Sequence, residues 1–187
     1  MALTLGRLVL APVFFILWEL AKTGPAPWLI GVWLVFGLIE VSDLLDGHLA
    51  RTLGQESELG KVLDPFADSL SRLTYFICFA GSGIMPNWIL LILVYRDVGV
   101  AYIRVMAAKG KGLMAARMSG KLKAGVYAVA GIAGITLFSL RGTGWWPRSL
   151  VPVGWVSFGF FVLAAAVAVW SLSDYAVFFI KNFRKMS

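Results

Sequence analysis

The sequence predicts an all-α integral membrane protein, with six transmembrane helices around a cytoplasm-facing polar site, as one domain over residues 1–187. Three observations lead there. Hydrophobic residues make up 59% of the chain and charged residues only 14%, with a mean hydropathy of +0.82, which lies outside the range of soluble domains. Six apolar segments approach the ~20 residues needed to cross a bilayer. Four aspartates then fall within 26 otherwise apolar-flanked residues, so charge is gathered at one place.

The first span is expected from Leu5 to Leu20. A basic residue ahead of an apolar run also suits a secretory signal peptide, but no A-x-A-like site precedes Lys22, so a retained helix is expected. The second runs from Trp28 to Leu45, the third from Leu63 to Ile84, the fourth from Trp88 to Ala108 and the fifth from Leu122 to Leu140. The sixth, Val151 to Ile180, carries no charge before Leu172. At ~1.5 Å per residue it exceeds the hydrocarbon thickness, so it should tilt or project into water near Lys181. A-K-T-G-P-A-P, S-G-I-M-P-N and R-G-T-G-W-W-P-R read as turns, because Gly and Pro interrupt helices. Trp28, Trp88, Trp145 and Trp146 fall at span ends, where an aromatic belt accounts for them. The lone Cys78 has no partner for an intrachain disulfide and reads as a small core residue.

Charge orients the spans. With both termini on one side, that side holds Arg7, Arg51, Lys61, Arg104, Lys109, Lys111, Arg117, Lys121, Lys123, Lys181, Arg184 and Lys185, against Lys22, Arg141 and Arg148 opposite. The positive-inside rule makes the richer side cytoplasmic, which places the protein as a multi-pass protein of the cell (inner) membrane with both termini and the polar site inside. The net charge of +7 suits contact with anionic lipid, and no nucleic-acid motif accompanies it.

The acidic string reads D-L-L-D-G-H-L-A-R, eight residues, then G-K-V-L-D-P-F-A-D. If both halves are helical, Asp43 and Asp46 share one face, as do Asp64 and Asp68, so two facing helices would present four carboxylates to one small volume. Unpaired carboxylates near hydrocarbon are costly, and metal is the simplest common partner. All-oxygen donors suit Mg2+, Mn2+ or Ca2+, and two ions can share such a cage. Gly47 and Gly60 would let a flat ligand or a second helix approach the backbone closely. His48 is expected to be a bystander. Arg72 should pair with Asp68 or Asp97, and adjacent Arg96 and Asp97 should each find a separate partner. Glu19 and Asp174 are expected at interfaces.

Asp43, Asp46, Gly47, Ala50, Arg51, Gly60, Asp64 and Asp68 together form D-x-x-D-G-x-x-A-R…G-x-x-x-D-x-x-x-D, which resembles the signature of the CDP-alcohol phosphatidyltransferase family at all eight defining positions. The resemblance implies that Asp43, Asp46, Gly47, Ala50, Arg51 and Gly60 bind the cytidine diphosphate of CDP-diacylglycerol. It implies further that Asp43, Asp46, Asp64 and Asp68 hold two Mg2+ or Mn2+ ions, with Asp68 also the catalytic general base, and that the protein is a homodimer. L-T-L-G-R with Pro12, Arg96-Asp97, Arg104-Val105, S-G-K-L-K and V-W-S-L-S-D-Y resemble the branch of the family whose acceptor is sn-glycerol 3-phosphate. A small phosphorylated alcohol fits because Arg104, Arg117, Lys121 and Lys123 are suited to hold its phosphate. Inositol phosphate, serine or another alcohol stays open as acceptor, and a cation or proton transporter is the alternative of a different class.

Overall fold

In a computed structural model of the chain, the structure describes residues 2–53, 58–109, 118–142 and 151–183, and side chains within 6–42, 66–106, 118–120, 122–142 and 152–181. These residues form α1 Ala2–Thr23, α2 Pro27–Leu53, α3 Glu58–Gly81, α4 Asn87–Lys109, α5 Met118–Gly142 and α6 Val151–Phe183. Each expected span thus coincides with one helix. Met118–Gly142 and Pro152–Lys181 are long and apolar enough to cross a membrane, with mean hydropathy 1.5 and 2.1.

The first two expected turns are present. Between α3 and α4, Ile84 N–H donates to Phe79 C=O at 2.9 Å and Gly83 N–H to Ala80 C=O at 3.1 Å, while Gly83 has φ +65°. This is a Schellman stop, and glycine supplies the left-handed residue at no Cβ cost. Trp145, Trp146 and the third turn lie outside the described residues.

Helix α1 packs on both α2 and α3, while α6 packs on α4 and α5. The two groups meet over an aromatic core. Trp18 stacks on Phe138 with centroids 3.8 Å apart, and Tyr75 lies between Phe14, Phe36, Phe76 and Phe79. Gly134 explains how α5 comes so close, since a Cβ there would stand 2.4 Å from the Phe79 ring. Cys78 is buried in this core, as expected.

Outward faces are apolar as well. Val9, Ile16, Leu34, Leu91, Val98, Val156, Val169 and Trp170 are each more than half exposed along the helices. A water-soluble bundle would place charge there, and an apolar exterior around an aromatic and charged interior is the pattern of a lipid-facing surface.

Candidate active site

Asp43, Asp46, Gly47, Ala50 and Arg51 occupy the last turns of α2, and Gly60, Asp64 and Asp68 the first half of α3. Of the four aspartates, only Asp68 has its side chain among those described; the side chains of Asp43, Asp46, Arg51 and Asp64 lie outside them, as does His48. The helix register still relates the two halves. Glu40 on α2 lies 3.8 Å from Arg72 on α3 and accepts a hydrogen bond from Tyr75 at 3.4 Å. These antiparallel contacts bring residue 43 to within a turn of the level of Asp68.

Arg72 joins the halves. Its Nε is 3.1 Å from Asp68 Oδ1, its Nη2 reaches Glu40, and the residue is 2% exposed. Burying a guanidinium this fully is tolerable only because two carboxylates face it. Asp68, with its side chain 26% exposed, is thereby held in a fixed orientation on α3. Ser71 tightens the same turn by donating to Ala67 C=O at 2.8 Å and Asp68 C=O at 3.2 Å.

The expected choice of Asp68 or Asp97 for Arg72 resolves to Asp68, with Glu40 added. Glu40 is legible only in retrospect, as the acidic residue at i−3 from Asp43 and i+4 from the core residue Phe36.

A second polar cluster joins α4, α5 and α6, and here one expectation is extended and one corrected. Arg96 and Asp97 each find a partner of their own, Ser171 for Arg96 and Lys123 for Asp97, and they also bond each other, with Arg96 Nη1 2.8 Å from Asp97 Oδ1. Adjacent Cβ atoms diverge, but the long arginine stem curls back to its neighbour. Lys123 is not available to an acceptor phosphate, because its Nζ bonds the same Asp97 oxygen at 2.7 Å and it is buried. Burial makes an internal carboxylate the stronger claim on this ammonium.

Arg96 also donates from Nη2 to Ser171 Oγ at 2.7 Å, and the Lys123 ammonium sits 4.5 Å from the Tyr127 ring centroid. Arg104 donates from Nη2 to Tyr175 OH at 2.9 Å and lies over the Tyr175 ring at 5.3 Å. Arg104 is only half-buried, so it keeps a face for other contacts. Ser119 donates to Asp174 at 2.7 Å, which ties the start of α5 to α6. Lys121 lies on α5 with its side chain outside those described, and Arg117 lies outside the described residues.

Glu19 forms an exposed pair with Lys22 at 2.6 Å. Arg7, counted on the basic side of the chain, is 1% exposed on α1, its helix face turned toward α2 and α3.

A cavity of about 270 Å³ opens between α4 and α6, lined by Leu91, Ile92, Tyr95, Arg96, Val169 and Leu172. Ser173 completes the lining, which is mainly aliphatic, with Tyr95, Arg96 and Ser173 as its polar side chains.

The donor set suits a hard divalent cation. Among the described residues no group of three or more His, Cys, Asp or Glu forms a metal cluster, since three of the four motif carboxylates fall outside them. The helix register brings residue 43 of α2 to within a turn of the level of Asp68 on α3, with Glu40 already engaged by Arg72.

Comparison with known proteins matches residues 1–172 to the family described as CDP-alcohol phosphatidyltransferase. Relatives include the protein of Treponema pallidum named CDP-diacylglycerol–glycerol-3-phosphate 3-phosphatidyltransferase, 35% identical over 120 residues, 62% of this chain and 56% of that one. The Bacillus subtilis protein of the same name is 30% identical over 177 residues, 89% of this chain and 85% of that one. A Mycobacterium tuberculosis protein named putative cardiolipin synthase is 31% identical over 176 residues, 94% of this chain and 79% of that one. The chain thus spans a little over half the length of the Treponema relative and most of the other two.

Proposed function

This chain belongs to the CDP-alcohol phosphatidyltransferase family, and on that premise we propose that it transfers a phosphatidyl group from CDP-diacylglycerol to sn-glycerol 3-phosphate, releasing CMP. The observation that carries the reading is the complete eight-position acidic motif on α2 and α3, whose halves are held at one level by Glu40, Arg72 and Asp68. Relatives named for this reaction support the choice of acceptor. The chain acts as a single membrane domain, 1–187, with six transmembrane helices, the site and both termini cytoplasmic, and as a homodimer in the inner membrane.

The family is generally divalent-metal dependent. Two Mg2+ or Mn2+ ions held by Asp43, Asp46, Asp64 and Asp68 would supply neutralisation of the pyrophosphate charge as CMP leaves. Gly47, Ala50, Arg51 and Gly60 flank the cytidine diphosphate, the small residues giving it room. Asp68, oriented by Arg72, accepts the proton of the acceptor hydroxyl. That oxygen forms a bond to the phosphatidyl phosphorus while the bond from this phosphorus to the CMP oxygen breaks. Arg104, Arg117 and Lys121 bind the acceptor's phosphate by charge-assisted hydrogen bonds, and Arg104 is pre-set for this by Tyr175.

A second reading within the family takes phosphatidylglycerol as acceptor. The relative named putative cardiolipin synthase, aligned over 94% of this chain, favours it. The test is CMP release by purified protein with CDP-diacylglycerol and each acceptor in turn. Release that requires glycerol 3-phosphate supports the first reading, release that requires phosphatidylglycerol selects the second, and no release with any acceptor rejects both.

A further inference from the structure

Arg7 lies outside the acidic motif, yet two independent registers bring it to the motif's level. Arg7, Ala11, Phe14 and Trp18 recur on one face of α1 and all are buried. On that face Phe14 meets Tyr75 at 6.3 Å and Trp18 meets Phe79 at 5.3 Å, so α1 and α3 run in the same direction. Each of those pairs is 61 positions apart, and 61 positions on from Arg7 is Asp68. Against α2 the helices run oppositely. A Cβ on Gly31 would stand 3.4 Å from the methyl groups of Leu17, and ten residues along each helix from that contact are Arg7 and Val41, next to Glu40 and Ser42.

A guanidinium buried at this depth needs negative charge beside it, and α2 and α3 supply acids there: Glu40 and Asp68, with Asp43 next along α2. Arg72 approaches Glu40 and Asp68 from α3, while Arg7 comes from α1. Arg7 is engaged in the structure. With a side chain 1% exposed it does not meet a ligand from solvent, so any effect on the reaction passes through the groups around it.

We propose that Arg7 is a positioning residue of the phosphatidyl-transfer site, a fixed positive charge that holds the carboxylate-bearing ends of α2 and α3 together before a divalent cation binds. The inference rests on the proposed function for the identity of the cation and the reaction. It has a consequence opposite in sign to that of a packing residue. A fixed positive charge opposes a second cation, so its removal should tighten divalent-metal binding while weakening the metal-free protein.

The test uses the full chain, purified in detergent, with Mn2+ as the probe read by electron paramagnetic resonance, and thermal unfolding followed in EDTA and in saturating Mn2+. Arg7→Gln should bind Mn2+ about fourfold more tightly or better, the effect of a unit charge on a divalent ion at ~10 Å even in a dielectric of water. Its Tm should fall much further in EDTA than in Mn2+, as linkage requires. Arg7→Lys, which keeps the charge, should stay within about twofold of the parent affinity if the charge dominates. Weaker or unchanged Mn2+ binding in Arg7→Gln, with equal losses of Tm in both conditions, would assign Arg7 to packing and overturn the proposal. If Arg7→Gln does not fold, Arg7→Met repeats the comparison with the apolar stem retained, and failure of both to fold with Mn2+ present throughout overturns it equally. CMP release by the parent protein is measured alongside. Its absence rejects the proposed reaction without touching the Mn2+ result, and its presence leaves the Mn2+ result to decide Arg7.

Discussion

Replacing Asp97 with Ala should cost more stability than any surface ion-pair change in the protein. Asp97 is 4% exposed, and its Oδ1 accepts from both Arg96 at 2.8 Å and Lys123 at 2.7 Å, which are buried too. Its removal strands two cations, and breaking a buried pair in this way costs about 3–5 kcal/mol. At ~2–4 °C per kcal/mol for a chain of this size, Tm should fall by roughly 6–20 °C. The control is Glu19→Ala, which breaks the exposed 2.6 Å pair with Lys22 and should cost only about 0–1 kcal/mol. Adding Lys123→Met to Asp97→Ala should restore part of the loss, because one stranded charge is then gone. Thermal unfolding of the detergent-purified variants measures all three. A Tm for Asp97→Ala no lower than that of Glu19→Ala would refute the view that this triad joins α4 to α5.

Asp68→Asn keeps the size of the side chain but not its basicity, so turnover should drop by about 100-fold or more with the donor KM little changed; near-parent turnover in a steady-state assay would place the base elsewhere. Arg104→Ala should raise the acceptor KM and spare the donor KM, by the ~1.5–3 kcal/mol of a charged hydrogen bond; a matching rise in both would detach Arg104 from the acceptor. Gly134→Ala puts a Cβ 2.4 Å from the Phe79 ring, and overpacking of this kind should cost about 1–3 kcal/mol; an unchanged Tm would show that the aromatic core yields more readily than its packing suggests.

The six helices were legible because hydrophobic runs of spanning length alternate with Gly and Pro, and both signals are local. Gly83, for example, needs only its own neighbours to stop α3. The acidic motif was legible for the same reason, since its spacing of three and four residues lies within single helices. What escaped depended on contacts between helices. Lys123 looks like a phosphate ligand until Asp97, 26 positions away, is seen to hold it. The burial of Arg7 follows from α1 turning that face inward, and the role of Glu40 from Arg72 and Tyr75 reaching it, neither of which is local. Arg96 and Asp97 have the separate partners expected of them, Ser171 and Lys123, but their mutual bond was not legible, because Cβ geometry fixes where a side chain starts and not where a long one ends.

The reaction is tested by mass analysis of the lipid made by purified protein from CDP-diacylglycerol and sn-glycerol 3-phosphate, with Mg2+ and again with excess EDTA. Phosphatidylglycerophosphate and an equal amount of CMP are expected with Mg2+, and neither in EDTA. Full product formation in EDTA would contradict the role given to the four aspartates, and consumption of neither substrate with Mg2+ would contradict the reaction itself.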